Sequence, residues 1–170
     1  CGKRFDNWLG DEIGIVDHKY VFGVAGYNLK PLDLQGAVGS VQLKKFGEIH
    51  AKRRINKANL DGIFEKVDGL RTINELEESE TSWFGVPIVC RDKKQKTALV
   101  KHLEDNRVQT RNYFAGNILQ HPGYRHLGDA SKYPNANQVL DKVFFVGCSP
   151  TITEEMIEYV DQVVTKFPND

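Results

Sequence analysis

The sequence predicts an α+β fold, within the broader α/β class, in which one long helix leads into a small three- to four-stranded sheet packed with helices. Three observations predict it. From Asp33 to the Asp61-Gly62 pair no proline or turn cluster interrupts the chain. After Asp68-Gly69, short β-prone runs alternate with amphipathic stretches, the pattern of a sheet layered on helices. At the end, Met156, Val160, Val163 and Phe167, flanked by Ile157 and Val164, repeat with the period of an amphipathic helix.

Residues 1–32 carry Trp8, Phe22 and Tyr27 among glycines at 10, 14, 23 and 26, with neither a helical nor an alternating period. Such a segment reads as extended or looping chain that needs a larger body to pack on. Asp33 has the side chain of a helix cap. Leu34, Val38, Val41, Ile49 and Leu60 share one stripe of the helix it opens, with Leu43 and Phe46 on another side. Gly36, Ala37, Gly39 and Ser40 predict close packing on two neighbours in its first half. Its second half, from Lys44-Lys45 through Lys52-Arg53-Arg54 to Lys57, reads as a solvated basic face, with a phosphate-binding patch as the alternative.

Residues 83–90 are apolar and β-prone and predict a buried strand, with Pro87 marking an edge or bulge. Asp92 caps a helix through Glu104, with Gln95 three residues on and Leu99, Val100 and Leu103 as its apolar face. Residues 108–114 read as a second strand, and the turn residues Gly116-Asn117, His121-Pro122-Gly123 and Gly128-Asp129 mark a loop. A short helix over 135–140 and a third strand over 143–148 follow. Thr151-x-x-Glu154 is a capping-box pattern for the last helix.

Composition excludes several classes. Lys plus Arg equals Asp plus Glu at 23 each, so no net field steers the chain toward nucleic acid or an anionic membrane. No apolar run approaches the roughly 20 residues that span a bilayer. Cys1, Cys90 and Cys148 are odd in number and far apart, which argues against a disulfide framework and for a reducing cytoplasm. His50, His102 and His126 are expected on the surface, and no metal-ligand spacing, P-loop or dinucleotide fingerprint is present. The chain opens on Cys1-Gly2-Lys3-Arg4-Phe5, and the expectation is a piece of a longer protein.

Composition and periodicity name no chemistry, but one stretch does. His18-Lys19-Tyr20-Val21-Phe22-Gly23-Val24-Ala25-Gly26-Tyr27-Asn28-Leu29-Lys30, followed by Asp33-Leu34-Gln35-Gly36-Ala37-Val38-Gly39 and Gln42-Leu43, resembles the G-Y-N-x-(R/K)…Q-A-A-x-G…Q-L signature of the sugar aminotransferase and dehydratase (DegT/DnrJ/EryC1/StrS) family. Thr110-Arg111 with Phe114-Ala115-Gly116-Asn117, and Leu29-Lys30 after Gly26-Tyr27-Asn28, look like its 3-dehydrase branch, which acts on 4-keto-6-deoxy sugar nucleotides. The opening Cys1-Gly2-Lys3-Arg4-Phe5 resembles the segment after the last cluster cysteine of the iron–sulfur member that works on a CDP-linked hexulose.

The resemblance implies the C-terminal part of the aspartate-aminotransferase fold. Residues 1–32 would end the large cofactor domain and form dimer interface, 33–66 would be the linker helix, and 67–170 the small C-terminal domain. It implies pyridoxal 5'-phosphate or pyridoxamine 5'-phosphate in the parent enzyme, with the aldimine residue, Lys or His, upstream. Asn28 matches the asparagine that reaches the cofactor phosphate across the dimer. His18, Lys30, Arg111, Asn117 and His121 fall where the family meets its substrate. Cys1 would be an iron–sulfur ligand, in a cluster that this chain cannot assemble alone because four thiolates are the rule. A homodimer, a reductase partner and a place in lipopolysaccharide and O-antigen biosynthesis follow from the same resemblance. The alternatives are a nucleotide-sugar aminotransferase of the same fold and a non-catalytic binding module.

Overall fold

The computed structural model describes Tyr27 and residues 32–168. The chain divides into two compact units, Cys1–Leu43 and Lys44–Asp170. In the first, the described backbone is chiefly the opening of helix α1, which runs Asp33–Phe64. Asp33 lies inside the first turn, and the Gln35 amide oxygen accepts from the Leu32 N–H at 2.9 Å. The cap is therefore supplied by Gln35, not by Asp33. Leu34, Val38, Val41 and Leu43 are all exposed, so the close packing expected of this half is not made among the described residues.

In the second unit, α1 buries Asn56, Lys57, Leu60, Ile63 and Phe64, a stripe at the i, i+4, i+7 spacing of one helix face. The reading of 44–57 as a solvated basic face fails at its end. Lys57 is 5 % exposed, paired with Asp61 at 2.5 Å and 4.5 Å from the Trp83 ring centre. Arg53 donates to Trp83 O at 2.7 Å. Arg54 forks onto Glu75 at 2.8 and 3.0 Å. The segment around 74–83 lies along this face and supplies the counter-charges and acceptors. The Arg54 hydrogen bond, then the Thr81 N–H, hold the Glu75 carboxyl down at about 2. His50 and His102 also leave the expected surface. His50 meets Glu80 at 3.1 Å and stacks on Phe46, and His102 meets Val163 O at 2.8 Å.

The remaining elements are β1 (Arg71–Thr72), β2 (Gly85–Val89), α2 (Lys93–Asp105), β3 (Thr110–Asn112), α3 (Pro134–Lys142), β4 (Val143–Gly147) and α4 (Glu154–Thr165), with three short 3-10 turns between β3 and α3. The sheet is wholly antiparallel in the order β1-β2-β4-β3. The two-residue β1 has no sequence signal long enough to predict it. One sheet face is core: Val86, Ile88, Phe144 and Val146 pack with Leu60, Ile63 and Phe64 of α1, Leu99 and Leu103 of α2, and Val163 and Val164 of α4.

Pro87 sits inside a strand with partners on both sides, not on an edge strand. Cys90 N donates to Lys142 O, and Phe84 O accepts from Cys148 N, so even-numbered residues of this run face β4. The missing N–H of Pro87 therefore faces the β1 side, where β1 pairs only with Ile88 and Val89. The ladder loses nothing there.

Asp92 caps α2 as expected, its Oδ1 accepting from Gln95 N at 2.9 Å. The last helix starts later than the capping-box pattern implies. Its cap is Thr153, whose hydroxyl accepts from Met156 N at 3.3 Å, while Thr151 bonds the Ser149 hydroxyl at 2.7 Å. No helix among the described residues is long and apolar enough to cross a membrane.

Candidate functional site

The sheet face opposite the core is covered in part among the described residues: Pro87 and Val143 are buried and Phe145 is half-buried. Pro87, Phe145 and Arg111 are opposite one another across β2, β4 and β3, and alternation along each strand puts this row on that second face. Because β3 is the edge strand, Arg111 stands at the rim. It is exposed. Its Nη1 donates to Thr110 O at 3.0 Å, and turning the Gln109 side-chain amide by 180° brings its oxygen to accept from the same guanidinium at 2.8 and 3.1 Å. Among the described residues no carboxylate is within salt-bridge range of it, and two of its five N–H donors, one on Nε and one on Nη2, have no partner there.

Phe145 is the floor of an aromatic group. Its ring centre lies 5.8 Å from Phe84, 6.1 Å from Phe114 and 6.4 Å from Tyr113. With Trp83, Gly85 and Pro87 these residues line a cleft of about 140 Å³. Gly85 is required here, since a Cβ would lie 2.4 Å from the Phe145 ring and 2.9 Å from Val146 O.

The loop after β3 is fixed by backbone and amide geometry. Phe114 (φ 51) and Gly116 (φ 60) are both left-handed, and a Cβ at Gly116 would meet Leu140 Cβ at 2.5 Å. Asn117 is 3 % exposed. Its Nδ2 donates to Ala130 O at 3.1 Å and Asn137 Oδ1 at 2.7 Å, and its Oδ1 accepts from Leu119 N at 3.0 Å. With both N–H groups committed, Asn117 is a tie between loop and α3, and the substrate contact expected there gives way to turn chemistry. His121 is half-buried and donates through Nε2 to Ala115 O at 2.9 Å, which leaves one ring nitrogen. Sequence reasoning missed Phe84, Gly85 and Phe145 as site residues. The strand alternation that puts Phe145 opposite Arg111 emerges only once the register is known.

His18, Asn28, Lys30 and Cys1 lie outside the described residues. The described residues do not themselves make a pyridoxal phosphate pocket. An amine that forms a Schiff base needs a free lone pair, and the buried Lys57 and Lys96 are committed, the first to Asp61 and the second to Leu140 O at 2.6 Å. No group of three or more His, Cys, Asp or Glu side chains among the described residues could hold a metal ion. Cys90 and Cys148 are free and buried in the core.

Comparison with solved structures gives the class of protein. The fold superposes on Escherichia coli GDP-4-keto-6-deoxy-D-mannose-3-dehydratase, solved with bound hydrated PLP, at TM-score 0.70 and 26 % identity, over 91 % of this chain and 40 % of that one. Helicobacter pylori PseC, an aminotransferase at 19 % identity, shares the fold at TM-score 0.74, over 86 % of this chain and 40 % of its own. The expected α+β class and the pyridoxal-phosphate fold family are thus borne out.

Residues 10–165 match the DegT/DnrJ/EryC1/StrS aminotransferase family, and the chain belongs to it. It is 35 % identical to the lipopolysaccharide biosynthesis protein RfbH of Salmonella typhimurium, over 98 % of this chain and 39 % of that protein. It is 37 % identical to the dTDP-4-dehydro-2,6-dideoxy-D-glucose 3-dehydratase of Saccharopolyspora spinosa, over 98 % of this chain and 37 % of that protein. The chain therefore spans about two-fifths of the length of the curated relatives it matches.

Proposed function

We propose that this chain is the C-terminal portion of a pyridoxal- or pyridoxamine-phosphate-dependent 3-dehydratase that acts on a nucleotide-linked 4-keto-6-deoxy sugar. The observation that carries the reading is Arg111, exposed at the rim of the sheet within the Thr110-Arg111…Phe114-Ala115-Gly116-Asn117 stretch typical of that branch. When bound, the cofactor supplies the electron sink, and the protein supplies binding and orientation. In this chain that work falls to Arg111, whose fork suits a diphosphate. His121, with one ring nitrogen uncommitted, stands on the same loop, and Asn28, Lys30 and His18 are assigned by resemblance to the cofactor phosphate and the substrate. The parent works as a cytoplasmic homodimer in lipopolysaccharide and O-antigen biosynthesis, with a reductase partner; Cys1 is the residue to test as a cluster ligand. The second reading is a nucleotide-sugar aminotransferase, which the family's own membership favours; a Lys rather than a His at the aldimine position would select it.

Arg111→Lys in the full-length protein tests the leading reading. The charge survives and the fork is lost, so KM for the nucleotide sugar should rise about tenfold. Because the side chain is exposed, the melting temperature should move by no more than about 2 °C. A clear drop in melting temperature with an unchanged KM would show that Arg111 serves the fold.

A further inference from the structure

The strand that carries Arg111 is short. β3 has three residues, lies at the edge of the sheet and pairs only with β4. It stands between two left-handed residues, Arg107 (φ 61) and Phe114 (φ 51), a conformation costly for side chains of this size. One side chain from outside the sheet grips it. Glu104, in the last turn of α2, accepts through Oε1 from the Thr110 N–H at 2.6 Å and from the Thr110 hydroxyl at 2.7 Å. Thr110 is 7 % exposed, and its carbonyl accepts from Arg111 Nη1. Both main-chain groups of Thr110 are thus satisfied on the outer edge, where no further strand pairs among the described residues. The grip has a firm base. Leu103, the residue before Glu104, is buried in the core, its carbonyl accepts from Val108 N at 2.9 Å, and Tyr159 of α4 donates to Asn106 O at 3.0 Å. The Thr110 hydroxyl and then its N–H hold the Glu104 carboxyl below the usual carboxylate range, so the contact is made by the ionised group.

We infer that Glu104 is a positioning residue: it pins Thr110 to α2 and so fixes the backbone from which Arg111 presents its free Nε and Nη2 donors. The inference rests on the reading of Arg111 as a substrate contact and adds what aims it. Helix stability does not account for Glu104, because a carboxylate in the last turn opposes the helix dipole. Direct electrostatics with the substrate does not account for it either. Its charge is near enough for Arg111 to lower its pKa, and there it would by itself repel an anionic diphosphate. What Glu104 supplies is the pair of bonds to Thr110.

The test is a double-mutant cycle in the full-length protein, with steady-state kinetics on a panel of CDP-, dTDP- and GDP-linked 4-keto-6-deoxy hexoses and a melting curve for each variant. Glu104→Ala should raise KM about tenfold and leave kcat within about twofold. Arg111→Gln should raise KM at least as much, and Glu104→Ala added to it should raise KM no further, since no guanidinium is left to aim. Thr110→Val keeps the shape and loses the hydroxyl, and should raise KM about threefold. Thr110→Ser restores the hydroxyl and should bring KM back towards the wild type; this pair decides the matter if Glu104→Ala does not fold. A KM that falls in Glu104→Ala, as relief of charge repulsion would give, overturns the positioning role alone. So does an unchanged KM with a lower melting temperature, or a KM increase of the same size in the Arg111→Gln background. If Arg111→Gln leaves KM unchanged, or the wild type turns over none of the panel, the reading of Arg111 and this inference fall together.

Discussion

Burial pushes the Cys90 thiol up to about 12 and the Cys148 thiol up to about 11, against an ordinary value near 9. Loss of solvent is the main cause at both, only partly offset by Lys96 near Cys90 and by Arg53 and Lys57 near Cys148. At pH 8 roughly one in a thousand Cys148 side chains, and fewer of Cys90, would be the reactive thiolate. Neither should be alkylated by iodoacetamide at pH 8 while the protein is folded, and both should react in denaturant. Rapid labelling of either in the folded protein would contradict the core described above. Both lie in runs, 83–90 and 143–148, that the sequence marks as strands, where a thiol packs as a small hydrophobe. For Lys57 the same kind of reasoning failed. A lysine at the end of a basic run reads as solvated, and only the packing of Trp83 and the nearby Asp61 makes its burial tolerable.

Among the elements, the loop from β3 to α3 is held by parts far apart in sequence. Asn137 on α3 accepts from both Asn117 and Gln120 and donates to Ala130 O at 3.0 Å. Lys96 on α2 bonds the Leu140 carbonyl near the end of α3, an orphan acceptor of the helix C-terminus. Gly116 closes the arrangement by lying flat on Leu140. Gly116→Ala would meet both a left-handed backbone and the side chain and backbone of Leu140, and should cost about 2–4 kcal/mol. Hydrogen exchange over residues 114–120 should rise with the loss of stability. A variant as stable as the wild type, with unchanged exchange, would mean that the loop sits elsewhere in solution.

In the molecule as a whole, the first half of α1 is the feature that asks for a partner. Leu34, Val38 and Val41 share one stripe and are 75, 56 and 49 % exposed, while small residues at Gly36 and Gly39 have nothing within 4 Å of a would-be Cβ. Such a face suits the homodimer proposed above. If Asn28 serves the partner subunit's cofactor, mixing a full-length Asn28→Ala protein with one mutated at its aldimine position should restore roughly a quarter of the sites, because half the dimers are mixed and each holds one intact site. Absence of rescue between folded, exchanging subunits would remove the cross-subunit role.

Local periodicity, capping and motif order were enough to establish the order of the helices and of the strands after β1, the family and the residue types of the Thr110–Asn117 stretch. They placed α2, α3 and β4 within two residues of where these lie. They could not decide which of two nearby threonines caps α4, since Thr151 and Thr153 both have the hydroxyl and only the path of the chain from Ser149 separates them. Nor could they tell Asn117, spent on holding a loop, from Arg111, left open at a rim. That difference is one of register and burial. Antiparallel pairing across β2, β4 and β3 puts Arg111 opposite Phe145 on the face away from the core, while α3 closes over Asn117 from twenty residues further on. Neither relation is encoded within the few residues around each side chain; both arise when distant strands and helices meet around one core.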